Sequence, residues 1–150
     1  MRFMTLPEPQ TFARAWVDAW NAHDVEAVLS HFAQDVVFTS PVAAQLFDDC
    51  DGVLRGKSAL RAYWTRGLQL IPDLRFEVVG VYAGISTIVI HYRNHKGGLV
   101  CEVLRFEGPG GRGARHVPRC RLGRQPGRRD RAAVAHAPTW FRRAAGPYVA

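Results

Sequence analysis

Cysteine is scarce here, and its placement says little about bonding. Cys50, Cys101 and Cys120 are an odd number at unrelated spacings, with no C-x-x-C pair. Neither a disulfide framework nor a zinc site is indicated, and a reducing cytoplasm is the expected compartment. Long hydrophobic runs are missing too: none approaches the roughly 18 residues a membrane-spanning helix needs. The opening segment, Met1 to Pro7, lacks an apolar h-region, so no secretory signal is read there. A Gly-rich phosphate loop, a G-x-S-x-G elbow and an H-E-x-x-H helix are likewise absent. The 150 residues are 47% hydrophobic and 11% aromatic, enough for one domain with a substantial core.

The net charge of +7 suggests nucleic acid until its distribution is read. Residues 1–107 carry ten Arg/Lys and twelve Asp/Glu, a balance of −2. Residues 108–150 carry ten Arg, no Lys and only Asp130 as an acid, a balance of +9. The same 43 residues hold seven of the 14 glycines and five of the nine prolines. Two chemically different pieces therefore meet near Glu107-Gly108.

The first piece has clear periodicities. Pro7 and Pro9 precede a helix over about residues 10–22, with Phe12, Trp16, Ala19 and Trp20 at helical spacing. Asp24 can cap a second, shorter helix through Phe32, with Glu26 in its first turn. Val36 to Thr39 is a short strand-like run stopped at Pro41, and residues 41–55 read as a loop. A third helix follows Gly56, carrying Leu60, Tyr63, Trp64, Gly67, Leu68 and Ile71 on one face, and Pro72 ends it. Strand-like runs then cover 74–83, 85–94 and 98–107, the last two joined at a Gly97-Gly98 hairpin turn. Helices first and strands afterwards predict an α+β domain, with helices on one face of a curved antiparallel sheet.

Several segments together resemble the SnoaL-like family of the nuclear-transport-factor-2-like superfamily, over about residues 10–107. They are Trp20-Asn21-Ala22-His23-Asp24, Phe32-Ala33-Gln34-Asp35-Val36-Val37-Phe38 and Gly56-Lys57 before Leu60-Arg61-Ala62-Tyr63-Trp64. Pro72-Asp73-Leu74-Arg75-Phe76, Tyr92-Arg93-Asn94 and Glu102-Val103-Leu104-Arg105-Phe106 continue the order. The resemblance implies a cone-shaped barrel in which three helices cover the concave face of the sheet above an apolar cavity. It does not choose an activity, because the superfamily holds isomerases, cyclases, hydrolases and pure binding domains.

On that resemblance, Trp16, Trp20, Phe38, Ser40, Tyr63 and Trp64 are candidate substrate-binding residues for a small apolar molecule. Ketosteroid isomerase, a superfamily relative, uses an Asp base with a Tyr and a protonated Asp as oxyanion hole. The corresponding positions hold Ser40, Trp16 and Glu102 here, so only the last keeps its chemistry. Strand alternation puts Glu102 on one face with Val100, Leu104 and Phe106, where desolvation would raise its pKa and suit it to acid–base work. His91 is a candidate proton shuttle, although a lone histidine on a strand is more often a half-exposed surface residue. His23, in the turn between helices, is expected to bond local backbone. Asp48, Asp49 and Asp51 lack EF-hand spacing and read as a solvated loop.

This combination predicts an acid–base enzyme of isomerase, cyclase or hydrolase type, needing neither cofactor nor metal. The alternative is a non-catalytic ligand-binding or dimerisation domain, favoured by the missing carboxylate at Ser40. A complete sheet would pair two copies through Val89, Cys101 and Val103 on its outer face.

The resemblance requires one more long strand after Phe106, and residues 108–122 do not read as one. Pro109 and Pro118 lack ladder donors, and the glycines weaken any strand. The last strand is therefore expected to be missing or altered, with 108–150 poorly ordered or only loosely packed; a lineage-specific extension with a short helix at 128–137 is an alternative reading. The Arg/Gly/Pro/Ala bias is what a GC-rich gene yields out of frame. Back-translating Arg115 to Gly123 and reading from each codon's second base permits Gly-Thr-Tyr-His-Ala-Ala-Ala-Ser, which resembles the family's last strand. A reading-frame shift near codons 107–108 is the expectation. An Arg-rich arm for nucleic acid is the weaker alternative, since the domain offers no companion basic patch.

Overall fold

The computed structural model describes residues 6–47, 51–107 and 114–121. Helix α1 (Pro9–Asn21) opens with proline in its first turn, and the Glu8 carboxylate accepts hydrogen bonds from the amides of Gln10 and Thr11. Phe12, Ala13, Trp16, Ala19 and Trp20 form its buried stripe. Helix α2 (Val25–Leu29) is capped by Asp24, whose carboxylate accepts from the Ala27 amide at 2.9 Å. That is the cap the sequence predicts. The helix stops at Leu29, however, and Phe32 opens strand β1 (Phe32–Thr39) instead of closing the helix.

The expected loop at 41–55 holds two more elements, α3 (Pro41–Leu46) and the short strand β2 (Val53–Arg55). Ser40 caps α3 through its hydroxyl, with proline in the first turn, a local Ser-Pro signal that the loop reading passed over. Helix α4 (Gly56–Leu70) is the predicted long helix and buries Leu60, Tyr63 and Trp64. Strands β3 (Phe76–Ala83), β4 (Thr87–Asn94) and β5 (Leu99–Phe106) follow as expected. At the β4–β5 hairpin, Gly97 has φ +78°, the left-handed turn its sequence position predicted.

The missing last strand is corrected: residues Ala114–Arg121 form β6. It lies in the middle of the sheet, whose order is β2-β1-β6-β5-β4-β3. It pairs parallel with β1 and antiparallel with β5, while all other pairings are antiparallel. Pro118 and the composition argued against this strand. Ladder bonds on both edges outweigh local propensity, which in sheets is dominated by context. The proposed helix at 128–137 lies outside the described residues.

Register shifts in β1, in β3 and opposite β6 add local bend, so the sheet curves toward the helices. Among the described residues it does not close into a barrel: β2 and β3 are its two edges. α1 packs on β3, α4 on β1 and β2, and α2 bridges the two long helices. The core lies between these helices and the concave face.

Candidate functional site

The turn between α1 and α2 anchors the site. His23 sits there with φ +56°, and its Nε2 lies 2.8 Å from the Leu74 carbonyl oxygen. The local backbone bond expected for His23 is thus replaced by one to a residue 51 positions away. Asn21 reaches the same region twice: its Nδ2 donates to the Phe76 carbonyl at 2.9 Å, and its Oδ1 accepts from the Phe76 amide at 2.8 Å. The Trp-Asn-Ala-His-Asp run therefore latches α1 onto the start of β3, which holds Trp16 and Trp20 over the sheet.

Strand β5 alternates as predicted. Val100, Glu102, Leu104 and Phe106 are buried, and Glu102 is only 2% exposed. Its register partners are Ile90 on β4 and Arg119 on β6. The structure brings the six proposed binding residues to this same interior; all are buried. Their rings form a continuous chain. Trp16 meets Trp20 at 6.3 Å between centroids, Trp20 meets Trp64 at 5.2 Å, and Trp64 meets Phe38 at 5.7 Å. Phe38 then meets Tyr63 at 6.1 Å, and the Tyr63 hydroxyl lies 3.1 Å from Ser40 Oγ. At the other end Trp16 packs on Tyr92, with 5.3 Å between centroids. The indole Nε1 donors of Trp16 and Trp20 are buried and have no hydrogen-bond partner among the described residues. Such orphan donors are costly, commonly about 1–3 kcal/mol each, and so call for an acceptor.

His91 does not join this group. It alternates out of phase with the buried Ile90 and Tyr92 and faces the outer side of the sheet, opposite Cys101. The shuttle role beside Glu102 is corrected on that ground, because a strand sends successive side chains to opposite faces.

The sequence reading also missed an opening. A cleft of about 560 Å³ lies between Phe47, just after α3, strand β2 and the first half of α4, lined also by Leu54, Ala59 and Ala62 with Asp51 and Arg55. It does not include Glu102. Phe47 in its wall packs on the aromatic chain, its ring 6.2 Å from that of Tyr63. Ala59 and Ala62, three apart on α4, were the available signal: small residues there leave room. Asp51 is exposed at this cleft, while Asp48 and Asp49 lie outside the described residues. No cluster of three potential metal ligands exists among the described residues, and no described helix is long and apolar enough to cross a membrane.

Known proteins share this architecture. A SnoaL-like protein of unknown function from Burkholderia thailandensis is 43% identical, with a TM-score of 0.70 over 77% of this chain and 100% of that one. A protein of ketosteroid isomerase-like fold from Catenulispora acidiphila, solved with trimethylamine, is 18% identical, with a TM-score of 0.57 over 77% and 86%. TerC, co-crystallised with polyporic acid, is 11% identical, with a TM-score of 0.60 over 75% and 90%. The last two speak for the fold alone. No curated protein matches the chain. The family model for the SnoaL-like domain matches residues 13–147. With its latched helix pair, curved sheet and aromatic interior, the chain belongs to the SnoaL-like domain family.

Proposed function

We propose that this domain binds a small apolar molecule bearing a carbonyl oxygen, and acts on it by acid–base chemistry at Glu102. The observation that carries the reading is the pair of buried indole N–H donors, unpartnered among the described residues, in an interior where Glu102 is also buried. An acceptor oxygen on the ligand would satisfy Trp16 or Trp20, and a hydrogen bond there stabilises a developing enolate. The Glu102 carboxylate would take the proton from the adjacent carbon and return it elsewhere. No cofactor or metal enters this reading, and the compartment remains the cytoplasm.

The test uses 1-tetralone as probe. Binding is read from tryptophan fluorescence, and enolisation from deuterium uptake at its α-carbon by NMR. Glu102→Gln should keep binding and slow exchange by about 100-fold or more. Trp16→Phe keeps the ring and removes the donor, so it should weaken binding. No fluorescence response would sink the pocket reading. Binding with no exchange above buffer would favour the second reading, a non-catalytic binding domain. Ser40 supports that alternative: its hydroxyl is engaged with Tyr63 and the α3 amide, and it cannot replace a carboxylate base.

The outer face of the sheet supports pairing of two copies. Val89, Cys101 and Val103 are half-buried there, and Tyr82 and Leu99 are exposed at 60% and 39%. Light scattering across micromolar concentrations should show a dimer, and Tyr82→Lys should shift it toward monomer. A wild-type monomer throughout would overturn the pairing.

A further inference from the structure

The cleft beside β2 is lined by none of the residues assigned to the aromatic interior, and its walls have a chemistry of their own. Phe47, Leu54, Ala59 and Ala62 make an apolar lining, and Asp51 and Arg55 supply one charge of each sign. Its volume of about 560 Å³ falls within the roughly 300–1,000 Å³ of small-molecule sites. Asp51 and Arg55 are both exposed, and neither side chain makes an ion pair among the described residues. Local geometry holds the two charges in place. Asp51 precedes Gly52, which has φ +80° and whose carbonyl accepts from the Ser40 amide at 2.7 Å. A Cβ at Gly52 would come within 2.9 Å of the Ser40 carbonyl oxygen, so the turn demands glycine. Arg55 ends β2 opposite Val37 of β1 and is the N-cap of α4. The acid and the cation thus flank a short strand pinned at both ends. Pairing of two copies through β4 and β5 leaves the cleft accessible, because β2 is the far edge of the sheet, beyond β6 and β1.

We propose that this cleft is a second ligand site, for the zwitterion of an aromatic α-amino acid. The ligand's carboxylate pairs with the Arg55 guanidinium, whose planar fork matches two carboxylate oxygens. Its ammonium group pairs with the Asp51 carboxylate. The ring packs on Phe47, where aromatic pairs favour offset or edge-to-face contact. Ala59 and Ala62, small and on one side of α4, leave the room for it. A ligand with one charged group alone forgoes one of the two ion pairs, and that difference sets the specificity.

The probe is L-phenylalanine, titrated into the full-length chain and followed by backbone-amide and indole NMR. Saturable shifts are expected at Leu54, Ala59 and Ala62, with the indole N–H signals of Trp16 and Trp20 unmoved. Hydrocinnamate lacks the ammonium and phenethylamine lacks the carboxylate. Each should bind about tenfold more weakly or worse, the factor expected for one lost charge-assisted contact. Arg55→Gln should weaken L-phenylalanine to the level of phenethylamine, and Asp51→Asn should weaken it to that of hydrocinnamate. Ala62→Leu, at an exposed helix position, should fill the cleft and abolish the shifts. Hydrocinnamate binding the wild type as tightly as L-phenylalanine overturns the proposal, as does unchanged L-phenylalanine binding by Arg55→Gln. Shifts centred on the Trp16 and Trp20 indoles, which would put the ligand in the interior instead, also overturn it. So does the lack of any saturable shift in the wild-type chain.

Discussion

Asn21 shows how one side chain can carry a long-range contact. It pairs with both the amide and the carbonyl of Phe76, so its replacement by leucine leaves two partly buried backbone groups unsatisfied. Asn21→Leu should cost roughly 2–3 kcal/mol, from about 1 kcal/mol or more per orphaned group. Urea denaturation measures this, and a loss below experimental error would refute the latch. Histidine sets the pH response. Burial lowers the pKa of His31, opposed by the hydrogen bond its ring donates to the Ala15 backbone. Burial also lowers that of His95, with Asp73 opposing and Lys96 adding to the effect. The unfolded chain therefore takes up protons first as pH falls. Stability should be level above about pH 6.5 and decline as pH drops through it. His31→Gln should flatten that decline in urea titrations at successive pH values; an unchanged slope removes His31 as a cause.

Among the elements, α3 and β6 were the least visible in the sequence. Six residues of helix have little intrinsic stability, so α3 depends on its cap and on packing. Ser40→Ala removes the cap and the bond to the Tyr63 hydroxyl together. It should cost about 1–2 kcal/mol. A Tyr63→Phe background should reduce the penalty, which a double-mutant cycle reads directly. Strand β6 has a different logic. Ala114 is fully buried and its amide donates to the His31 carbonyl at 3.0 Å. A chain ending at residue 107 would separate β1 from β5 and open two unpaired edges. Such a truncation should aggregate in light scattering. Limited proteolysis of the full chain should first yield a fragment that retains residue 121. A stable, monomeric 1–107 fragment would contradict both expectations.

For the whole molecule, the central position of β6 makes residues Ala114–Arg121 part of the sheet. The reading-frame expectation is separately testable, because the nucleotides over codons 105–125 encode the second-base reading or interrupt it. An uninterrupted Gly-Thr-Tyr-His-Ala-Ala-Ala-Ser frame is the expected outcome, and a stop codon within it overturns the idea. The sheet also separates its two faces: Glu102 and the aromatic rings lie on the concave side, and His91 and Cys101 on the convex side.

The amino-acid sequence by itself determined the two long helices, the Asp24 cap, the β3–β5 meander and the inward face of Val100, Glu102, Leu104 and Phe106. Those features follow from local periodicity and from capping chemistry between near neighbours. Only the tertiary structure decided that Ala114–Arg121 is a strand, that His23 bonds Leu74, and that Cys101 stands opposite Cys120. It also decided that the opening lies at β2 and the start of α4, with the interior rings packed against one another. Each of these joins residues far apart in the chain. A strand flanked on both sides draws its hydrogen bonds from its neighbours, so its own composition carries little of the information that places it.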